Sequence, residues 1–258
     1  MIPKIIHYCW FGRNPLPEDA VMCINSWKKY LPEYEIIEWN EDNFDVNMIP
    51  YTAEAYAAKK YAFVSDFARF WILYHHGGLY FDTDVEVIKP IDDIIEKGNF
   101  MAYECPAPDK GAMAKAIAPG LGLGVNPGLG LLKKLIDTYS QMHYMIDGKL
   151  VSSNTIVNYT TEAFLEAGIT KINDDIDYSS DCYIYAPEFF CPLDHHTGKL
   201  TLTDKSRTIH HYTASWKTQG EKRKTAFLNL IGPRLTKFLV FIKHTLKNND
   251  TFNHYPRI

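Results

Sequence analysis

Two carboxylates lie two residues apart in the segment 80–85, which reads Tyr-Phe-Asp-Thr-Asp-Val and follows Gly77 and Gly78. The apolar and β-branched neighbours predict a strand, on which alternate side chains share a face, so Asp82 and Asp84 are expected to point the same way. Carboxylate oxygens suit a hard divalent cation, which keeps further positions open for phosphate oxygens. The pair therefore indicates a site for a metal ion and a diphosphate, the chemistry that a nucleotide sugar requires.

An acidic group and a guanidinium precede this pair in the sequence. Asp66 and Arg69 lie three residues apart in a segment with helical spacing, so they share one face of the predicted helix. They could form a local ion pair worth about 0.2–0.5 kcal/mol. The planar guanidinium of Arg69 is also well suited to bind an anion through two hydrogen bonds. The spacing alone leaves both interpretations open.

The order of these features, a helix with Asp66 and Arg69, then Gly-Gly, then an aromatic-flanked Asp-x-Asp, resembles that of retaining glycosyltransferases with a GT-A fold. The similarity is to the family 32 type, which includes mannosyltransferases, bacterial capsule and lipopolysaccharide sugar transferases, and the glucosyltransferase domains of large clostridial toxins. The resemblance implies that Asp66 accepts hydrogen bonds from hydroxyls of the donor sugar. It implies that Arg69 binds the sugar or the diphosphate, with Tyr80 either lining the same pocket or packing in the strand.

The resemblance further implies a metal-assisted reaction. Mn²⁺ or Mg²⁺ would be held by Asp84, with Asp82 reaching the ribose or bridging to the cation through water. A hexose or N-acetylhexosamine would move from a nucleotide diphosphate, with UDP favoured, to a glycan or lipid-linked acceptor. The family retains the anomeric configuration, so no protein nucleophile is expected.

Both ends of the predicted catalytic domain extend the resemblance. The segment 2–12 reads as a buried first strand, and Trp10 at its end is expected by resemblance to stack on the nucleotide base. The segment 209–216, Ile-His-His-Tyr-Thr-Ala-Ser-Trp, looks like the closing motif of the family. There His211 is favoured as a further metal ligand, with His210 as the substitute. Ser215 and Trp216 are expected to approach the diphosphate.

Alternating strand and helix patterns predict the architecture. Strands are expected at 4–11, 34–39, 99–104 and 121–126 and around Asp82 and Asp84, and helices from Pro17 to 31, at 52–75, 127–144 and 154–167. This alternation predicts an α/β protein, a Rossmann-like GT-A fold with a mostly parallel sheet flanked by helices. Open α/β sheets bind ligands at the carboxyl ends of their strands, where Trp10, Asp82 and Asp84 are expected to meet.

Length and composition limit the possible classes of protein but do not indicate a substrate. A chain of 258 residues with 46% apolar content can bury one substantial core, and its net charge of −4 gives no signal for nucleic-acid binding. Five cysteines without a C-x-x-C spacing suggest reduced thiols. With no apparent signal peptide, these features predict a cytoplasmic location.

The carboxyl-terminal residues form a second predicted region. Residues 1–220 are expected to be the catalytic domain, and 221–258 a basic amphipathic helical segment. That segment either packs on the domain as a closing helix or attaches the protein peripherally to anionic lipid at the inner membrane face.

Two other classes of protein fit parts of the pattern. The run Asp82-Thr83-Asp84-Val85 also matches haloacid-dehalogenase-like phosphatases, in which Asp82 would be the nucleophile and Asp84 an acid/base. A non-catalytic sugar- or membrane-binding module is the third hypothesis. The earlier strand, helices and Gly-Gly pair argue against the phosphatase, and the complete set of site residues argues against a module without activity.

Overall fold

A computed structural model describes residues 1–105, 116–151, 154–195 and 197–213 of the chain. Met1–Thr213 form one compact unit. Within the described ranges no helix is both long and apolar enough to cross a bilayer. The segment 221–258, predicted to be a basic helical region, lies outside the described residues, so that division of the chain stays a prediction.

Seven helices and twelve strands make up the described part of the chain. The helices are α1 (Glu18–Tyr30), α2 (Pro50–Ala57), α3 (Tyr61–His76), α4 (Asp92–Ile95), α5 (Gly130–Ser140), α6 (Ile156–Ala167) and α7 (Pro187–Phe190). The strands are β1 (Ile5–Cys9), β2 (Glu35–Trp39), β3 (Gly78–Tyr80), β4 (Val85–Val87), β5 (Phe100–Ala102), β6 (Leu123–Val125), β7 (Met145–Ile146), β8 (Lys149–Leu150), β9 (Thr170–Lys171), β10 (Ile176–Ser179), β11 (Cys182–Tyr185) and β12 (Thr208–His210).

Eight of these strands form the central sheet, in the order β2-β1-β3-β6-β5-β11-β10-β9. The pairs β2-β1, β1-β3 and β5-β11 are parallel, and the other neighbouring pairs are antiparallel. Six strands therefore run in one direction, and only β6 and β10 run against them. The prediction of an α/β fold with a mostly parallel sheet is confirmed.

Helices cover both faces of this sheet, because its strands are apolar on both sides. Along β1, Ile6 and Tyr8 belong to one buried cluster and Cys9 to the other. Trp27 of α1 joins the cluster of Ile6, and Phe70 of α3 joins that of Cys9. This two-sided packing fixes α3 against the sheet, so that the polar residues of α3 are held at a defined place.

The single helix predicted over 52–75 is two helices in the structure. The helix α2 ends at Ala57, and α3 begins at Tyr61 after a turn in which Lys59 has φ of 57°. The amide of Lys60 donates to the carbonyl of Ala55 at 2.8 Å, which closes the end of α2. No Gly or Pro marks this turn, and the apolar spacing continues across it, so the sequence pattern predicted one element.

The prediction of a strand that carries both carboxylates is also wrong in detail. The strand β3 ends at Tyr80 and β4 begins at Val85, so Asp82 and Asp84 lie in the connection between them. The amide of Val85 donates to the carbonyl of Asp82 at 3.0 Å and closes a turn. The two carboxylates are therefore brought together by a turn and not by strand alternation.

A buried histidine links β1 to the start of β3. The indole of Trp39 donates to Nδ1 of His7 at 3.0 Å, and Nε2 of His7 lies 3.0 Å from the carbonyl oxygen of Gly77. An indole only donates, so Nδ1 accepts, Nε2 carries the hydrogen, and the ring is neutral. Burial lowers the pKa of His7 to about 4, because the charged ring would lose its hydration.

We expect His7 to make the protein sensitive to mild acid. Between pH 6.5 and 4 the unfolded chain binds a proton that the folded imidazole does not, so stability falls as the pH is lowered through this window. Urea unfolding at pH 7 and pH 4.5 should show the wild type losing about 2 kcal/mol more than His7→Gln, which keeps a donor and an acceptor but does not titrate.

The pKa of Asp66 is raised, so its protonation increases the stability of the folded protein as the pH falls over the same range. Comparing the wild type with His7→Gln removes this opposite contribution, because both proteins contain Asp66. Equal pH dependence of the two proteins would show that His7 does not set this sensitivity.

Candidate active site

The buried centre of the site is the guanidinium of Arg69. Nη2 of Arg69 lies 3.1 Å from Oδ1 of Asp66, one turn earlier on α3, and Nη1 lies 3.2 Å from Oδ1 of Asp82. Arg69 is 4% exposed and Asp66 is 9% exposed. The guanidinium thus bridges a helix and the turn after β3, which is more than the local helical ion pair that the spacing allowed.

Tyr80 supports this cluster from the strand side. Its ring lies under the guanidinium of Arg69, with 4.8 Å between the guanidinium carbon and the ring centroid, a cation–π contact. Its hydroxyl donates to Oδ1 of Asp82 at 3.2 Å. Tyr80 is therefore both a packed strand residue and a part of the site, so the two interpretations of this residue are compatible.

Burial sets the charge state of the helical carboxyl. It raises the pKa of Asp66 to about 7, although the positive charge of Arg69 acts in the opposite direction. A carboxyl near its midpoint at neutral pH can accept or donate a hydrogen bond. That property suits a group facing sugar hydroxyls, which are themselves donors and acceptors.

Asp84 is held as a carboxylate by partners on both of its oxygens. Oδ1 lies 3.1 Å from Nε2 of His210, while Oδ2 accepts from the amide of Thr213 at 2.9 Å and from its hydroxyl at 3.2 Å. Burial alone would raise the pKa of Asp84, but His210 and the Thr213 donors outweigh it and keep the pKa at about 2. Asp84 therefore carries a full negative charge at neutral pH.

The pairing of β12 with β4 decides which histidine reaches the carboxylates. His210 lies opposite Val85 in this antiparallel pair, and its Nε2 is 4.0 Å from Oδ2 of Asp82. The ring of His211 turns away, with Nε2 at 2.9 Å from Oε2 of Glu86. Neighbouring residues of an extended strand face opposite sides, so the structure brings the substitute candidate His210 to the site and places the favoured His211 elsewhere.

Gly120 is a site residue that the sequence analysis missed. Its carbonyl accepts from the amide of Asp82 at 3.3 Å, and a Cβ at this position would lie 2.1 Å from Oδ2 of Asp82 and 3.2 Å from Nη1 of Arg69. The glycine thus leaves the space that the carboxylate occupies. The only sequence signal is the high glycine, alanine and proline content of 107–130, which does not single out one position.

We expect Gly120→Ala to lower turnover of the donor about tenfold or more with little loss of stability. The new methyl group meets the end of the Asp82 side chain, which can rotate away, so the carboxylate moves and the fold remains. Donor hydrolysis and urea unfolding measure the two effects. Gly130→Ala is the matched control, because a Cβ there meets no atom within 4 Å. Equal turnover in the Gly120 variant and the wild type would contradict this role.

Trp10 lies directly after β1, half-buried, beside an open hollow. The indole donates to the carbonyl of Asn14 at 2.7 Å. The hollow is lined by Trp10, Arg13, Asn14, Pro15, Glu38, Asn40 and Glu41. Because β1 pairs in parallel with β3, with His7 opposite Tyr80, Trp10 and Asp82 follow neighbouring strands at the same edge of the sheet.

The remaining predicted site residues, Ser215 and Trp216, lie outside the described residues. Thr213, two residues before Ser215, is described and donates to Asp84. The structure therefore brings together Asp66, Arg69, Tyr80, Asp82, Asp84 and His210, with Trp10 at the same sheet edge.

The donor set of Asp82, Asp84 and His210 fits a divalent cation. It offers two carboxylates and one imidazole, ligands that Mn²⁺ and Mg²⁺ accept, and Asp84 is ionised at neutral pH. Nε2 of His210 faces Asp84, and Nδ1 is buried without a hydrogen-bond partner among the described residues. As they are placed in the described ranges, no three His, Cys, Asp or Glu side chains could hold a metal ion together, so Asp82, Asp84 and His210 would have to shift to bind one.

Comparison with known proteins defines the class of this site. Residues 17–101, which include α3 and the Asp82-Thr83-Asp84 turn, match the family described as a glycosyltransferase sugar-binding region containing a DXD motif. A glycosyltransferase involved in the glycosylation of the major capsid of PBCV-1 superposes on 88% of this chain and 100% of its own, with a TM-score of 0.51 and 13% identity. At that identity the likeness shows the fold alone, which is GT-A.

Within this segment the chain is similar to the DXD-containing glycosyltransferases, and curated relatives show the same similarity. Inositol phosphoceramide mannosyltransferase 1 of Schizosaccharomyces pombe is 31% identical over 111 residues, 39% of this chain and 33% of the relative. A glycosyltransferase of Acanthamoeba polyphaga mimivirus is 35% identical over 111 residues, 40% of this chain and 44% of the relative. The chain thus spans less than half the length of these curated relatives. The predicted resemblance to DXD-containing glycosyltransferases and the predicted GT-A fold are confirmed, and the phosphatase alternative receives no support.

Proposed function

We propose that this protein transfers a hexose from a nucleotide diphosphate sugar to a glycan or lipid-linked acceptor with retention of configuration. The observation that carries the proposal is the continuous cluster in which Arg69 joins Asp66 to Asp82, next to the pair of Asp84 and His210. The sugar, the diphosphate and the cation each need a different binding group, and this cluster offers one for each.

The helical end of the cluster suits the donor sugar. Asp66 presents a carboxyl near its midpoint at neutral pH, which can hydrogen-bond sugar hydroxyls in either direction. The guanidinium of Arg69 is fixed by Asp66, Asp82 and the ring of Tyr80, so it binds an anionic oxygen without first being ordered. These contacts would hold the anomeric carbon and the leaving diphosphate in a fixed orientation.

The end of the cluster formed by Asp82, Asp84 and His210 suits a cation and the diphosphate. Asp84, Asp82 and His210 would hold Mn²⁺ or Mg²⁺, with the earlier preference for His211 replaced by His210. When bound, such a cation neutralises the charge that develops on the leaving diphosphate. Thr213 holds the Asp84 carboxylate in one orientation from both its amide and its hydroxyl. Ser215 and Trp216 remain proposed contacts to the diphosphate, on the strength of the family resemblance alone.

The hollow beside Trp10 is proposed to receive the nucleotide base. The hollow follows β1 at the same sheet edge as Asp82, which supports placing the base there when the diphosphate lies near Asp82. The mannosyltransferase relatives favour mannose among the hexoses that the sequence prediction left open. Both GDP and UDP therefore belong in the test, although UDP was favoured from the sequence.

We expect Trp10→Ala to weaken nucleotide binding by about 1–3 kcal/mol, the range for base stacking on an aromatic ring. Titration calorimetry with UDP and with GDP in the presence of Mn²⁺ measures this effect. Trp10→Phe keeps a stacking face and should recover most of the affinity. Equal affinity of the wild type and the Ala variant would assign Trp10 a packing role only.

The proposed function is tested with a panel of UDP- and GDP-sugars and Mn²⁺, scored for slow release of sugar and nucleotide without an acceptor. If the protein is a glycosyltransferase, at least one donor should release its sugar and nucleotide, because water can take the place of the acceptor hydroxyl. A phosphate monoester assayed in parallel tests the phosphatase alternative. Hydrolysis of the ester together with no binding or release of any donor would overturn the proposal.

A further inference from the structure

Tyr212 has a backbone conformation that its side chain does not favour. Its φ is 50°, in the left-handed region that suits Gly, Asn and Asp better than a bulky residue. A tyrosine persists in this conformation only where surrounding contacts hold it there. Tyr212 lies between His210 and Thr213, which are the two residues that engage the side chain of Asp84.

Four side chains hold the phenol ring and its hydroxyl. The ring stands at 77° to that of His210 with 4.1 Å between the centroids, and the centroid of the His195 ring lies 4.6 Å from it. The hydroxyl donates to Oε1 of Glu104 at 3.3 Å and lies 3.1 Å from Sγ of the buried Cys191. The ring of Tyr212 is therefore anchored to the core and lies directly against His210.

The left-handed turn at Tyr212 also directs the chain back to Asp84. Before the turn, the amide of His211 donates to the carbonyl of Asp84 at 2.9 Å, and His210 lies on Oδ1. After the turn, Thr213 donates to Oδ2 twice. An extended residue at 212 would carry Thr213 away from the carboxylate, so the strained backbone has a consequence for the site.

Among the described residues, no group makes with His210 the hydrogen bond that usually orients a metal-binding imidazole. A ligating histidine normally donates its second ring nitrogen to a carboxylate, carbonyl or water, and this bond fixes the ring. Nδ1 of His210 is buried and has no such partner among the described residues. The perpendicular ring of Tyr212 is in contact with the imidazole and can restrain its rotation instead.

We propose that Tyr212 is a positioning residue for the metal and diphosphate side of the site. Its anchored ring fixes the imidazole of His210, and its left-handed backbone places Thr213 on Asp84. This inference rests on the proposed function, since it assigns a role within the same site.

The test compares three substitutions with the wild type. Tyr212→Phe keeps the ring, Tyr212→Leu removes it and keeps the strained backbone, and Tyr212→Asn removes it but tolerates the left-handed region. Tyr178→Leu on β10 is the matched control, because it also removes a paired aromatic ring and a hydroxyl bonded to a carboxylate, Asp181. Each protein is measured for Mn²⁺ binding by electron paramagnetic resonance without donor, for kcat and KM of donor hydrolysis at saturating Mn²⁺, and for its urea midpoint.

We expect the Leu and Asn variants to bind Mn²⁺ about tenfold more weakly and to lose about tenfold in kcat, with donor KM within about twofold. The Phe variant should stay close to wild type in both. Wild-type Mn²⁺ affinity in the Leu and Asn variants, or an equal loss in the Tyr178 control, would overturn the positioning role. Because Mn²⁺ binding is measured without donor, a wild type that turns over no donor would count separately against the proposed function.

Discussion

Replacing Asp84 by Asn is expected to lower metal-dependent donor turnover about 10²–10³-fold, the range found when one group that stabilises developing charge is removed. The carboxylate is ionised at neutral pH and is held by His210 and Thr213, so its charge and orientation are both available to the site. The amide has nearly the same volume and creates no cavity. We therefore expect a loss of only about 1–3 kcal/mol of stability, the cost of weakening charge-assisted hydrogen bonds.

Donor hydrolysis with Mn²⁺, before and after excess EDTA, measures the activity, and urea unfolding measures the stability. Asp137→Asn on α5 is the matched control, because this exposed carboxylate pairs with Lys133 on the surface. This substitution is expected to leave both activity and stability unchanged. Full activity in the Asp84 variant, or wild-type turnover that survives EDTA, would rule out the metal assignment.

The first part of the fold could be predicted because its signals are local. The strand β1, the helix α1 and the strand β2 each have a clear apolar period, and the structure places them within a few residues of the predicted bounds. Trp10 follows a buried strand, so its place at the carboxyl edge of the sheet could be inferred from sequence alone. The order of α3, Gly77 and the DXD run carried the predicted resemblance to DXD-containing glycosyltransferases, which is confirmed.

The arrangement around the carboxylates depended on pairing that no local pattern reports. The strands β3 and β4 have three residues each, which is too short to show an alternation of apolar and polar residues. The turn that carries Asp82 and Asp84 was therefore predicted to be part of a strand. The strand β4 pairs with β12, which begins at Thr208, more than a hundred residues later. The choice between His210 and His211 follows from the register of that pairing, because a shift by one residue exchanges the two faces.

Gly120 shows a different limit of sequence reasoning. Its importance lies in an atom that it lacks, since a Cβ would occupy the place of the Asp82 carboxylate. Nothing in a glycine-rich segment reveals which glycine is approached by a side chain from a distant turn. Such a residue becomes visible only when the neighbouring side chains are placed.

Replacing Arg69 by Met is expected to abolish donor turnover and to destabilise the protein by about 3–5 kcal/mol at pH 7, the usual cost of removing one partner of a buried ion pair. The guanidinium is 4% exposed and neutralises carboxylates on two elements, Asp66 and Asp82. Without it, the buried Asp66 must either remain charged without a partner or take up a proton. Met has a similar length and fills most of the space, so the effect reports charge and hydrogen bonds more than volume.

The pH dependence of the stability loss shows whether it comes from the missing positive charge or from altered packing. The pKa of Asp66 is already raised to about 7, and losing the positive charge of Arg69 raises it further, so the folded variant binds a proton that the unfolded chain releases above its pKa near 4. The deficit of Arg69→Met relative to wild type should therefore be larger at pH 9 than at pH 7, because between these values the folded variant keeps the Asp66 proton that the folded wild type releases. Adding Asp66→Asn to Arg69→Met should recover part of the stability at pH 7 without restoring turnover. A deficit that is independent of pH, and that Asp66→Asn does not reduce, would attribute the loss to packing and leave the bridging role of Arg69 without support.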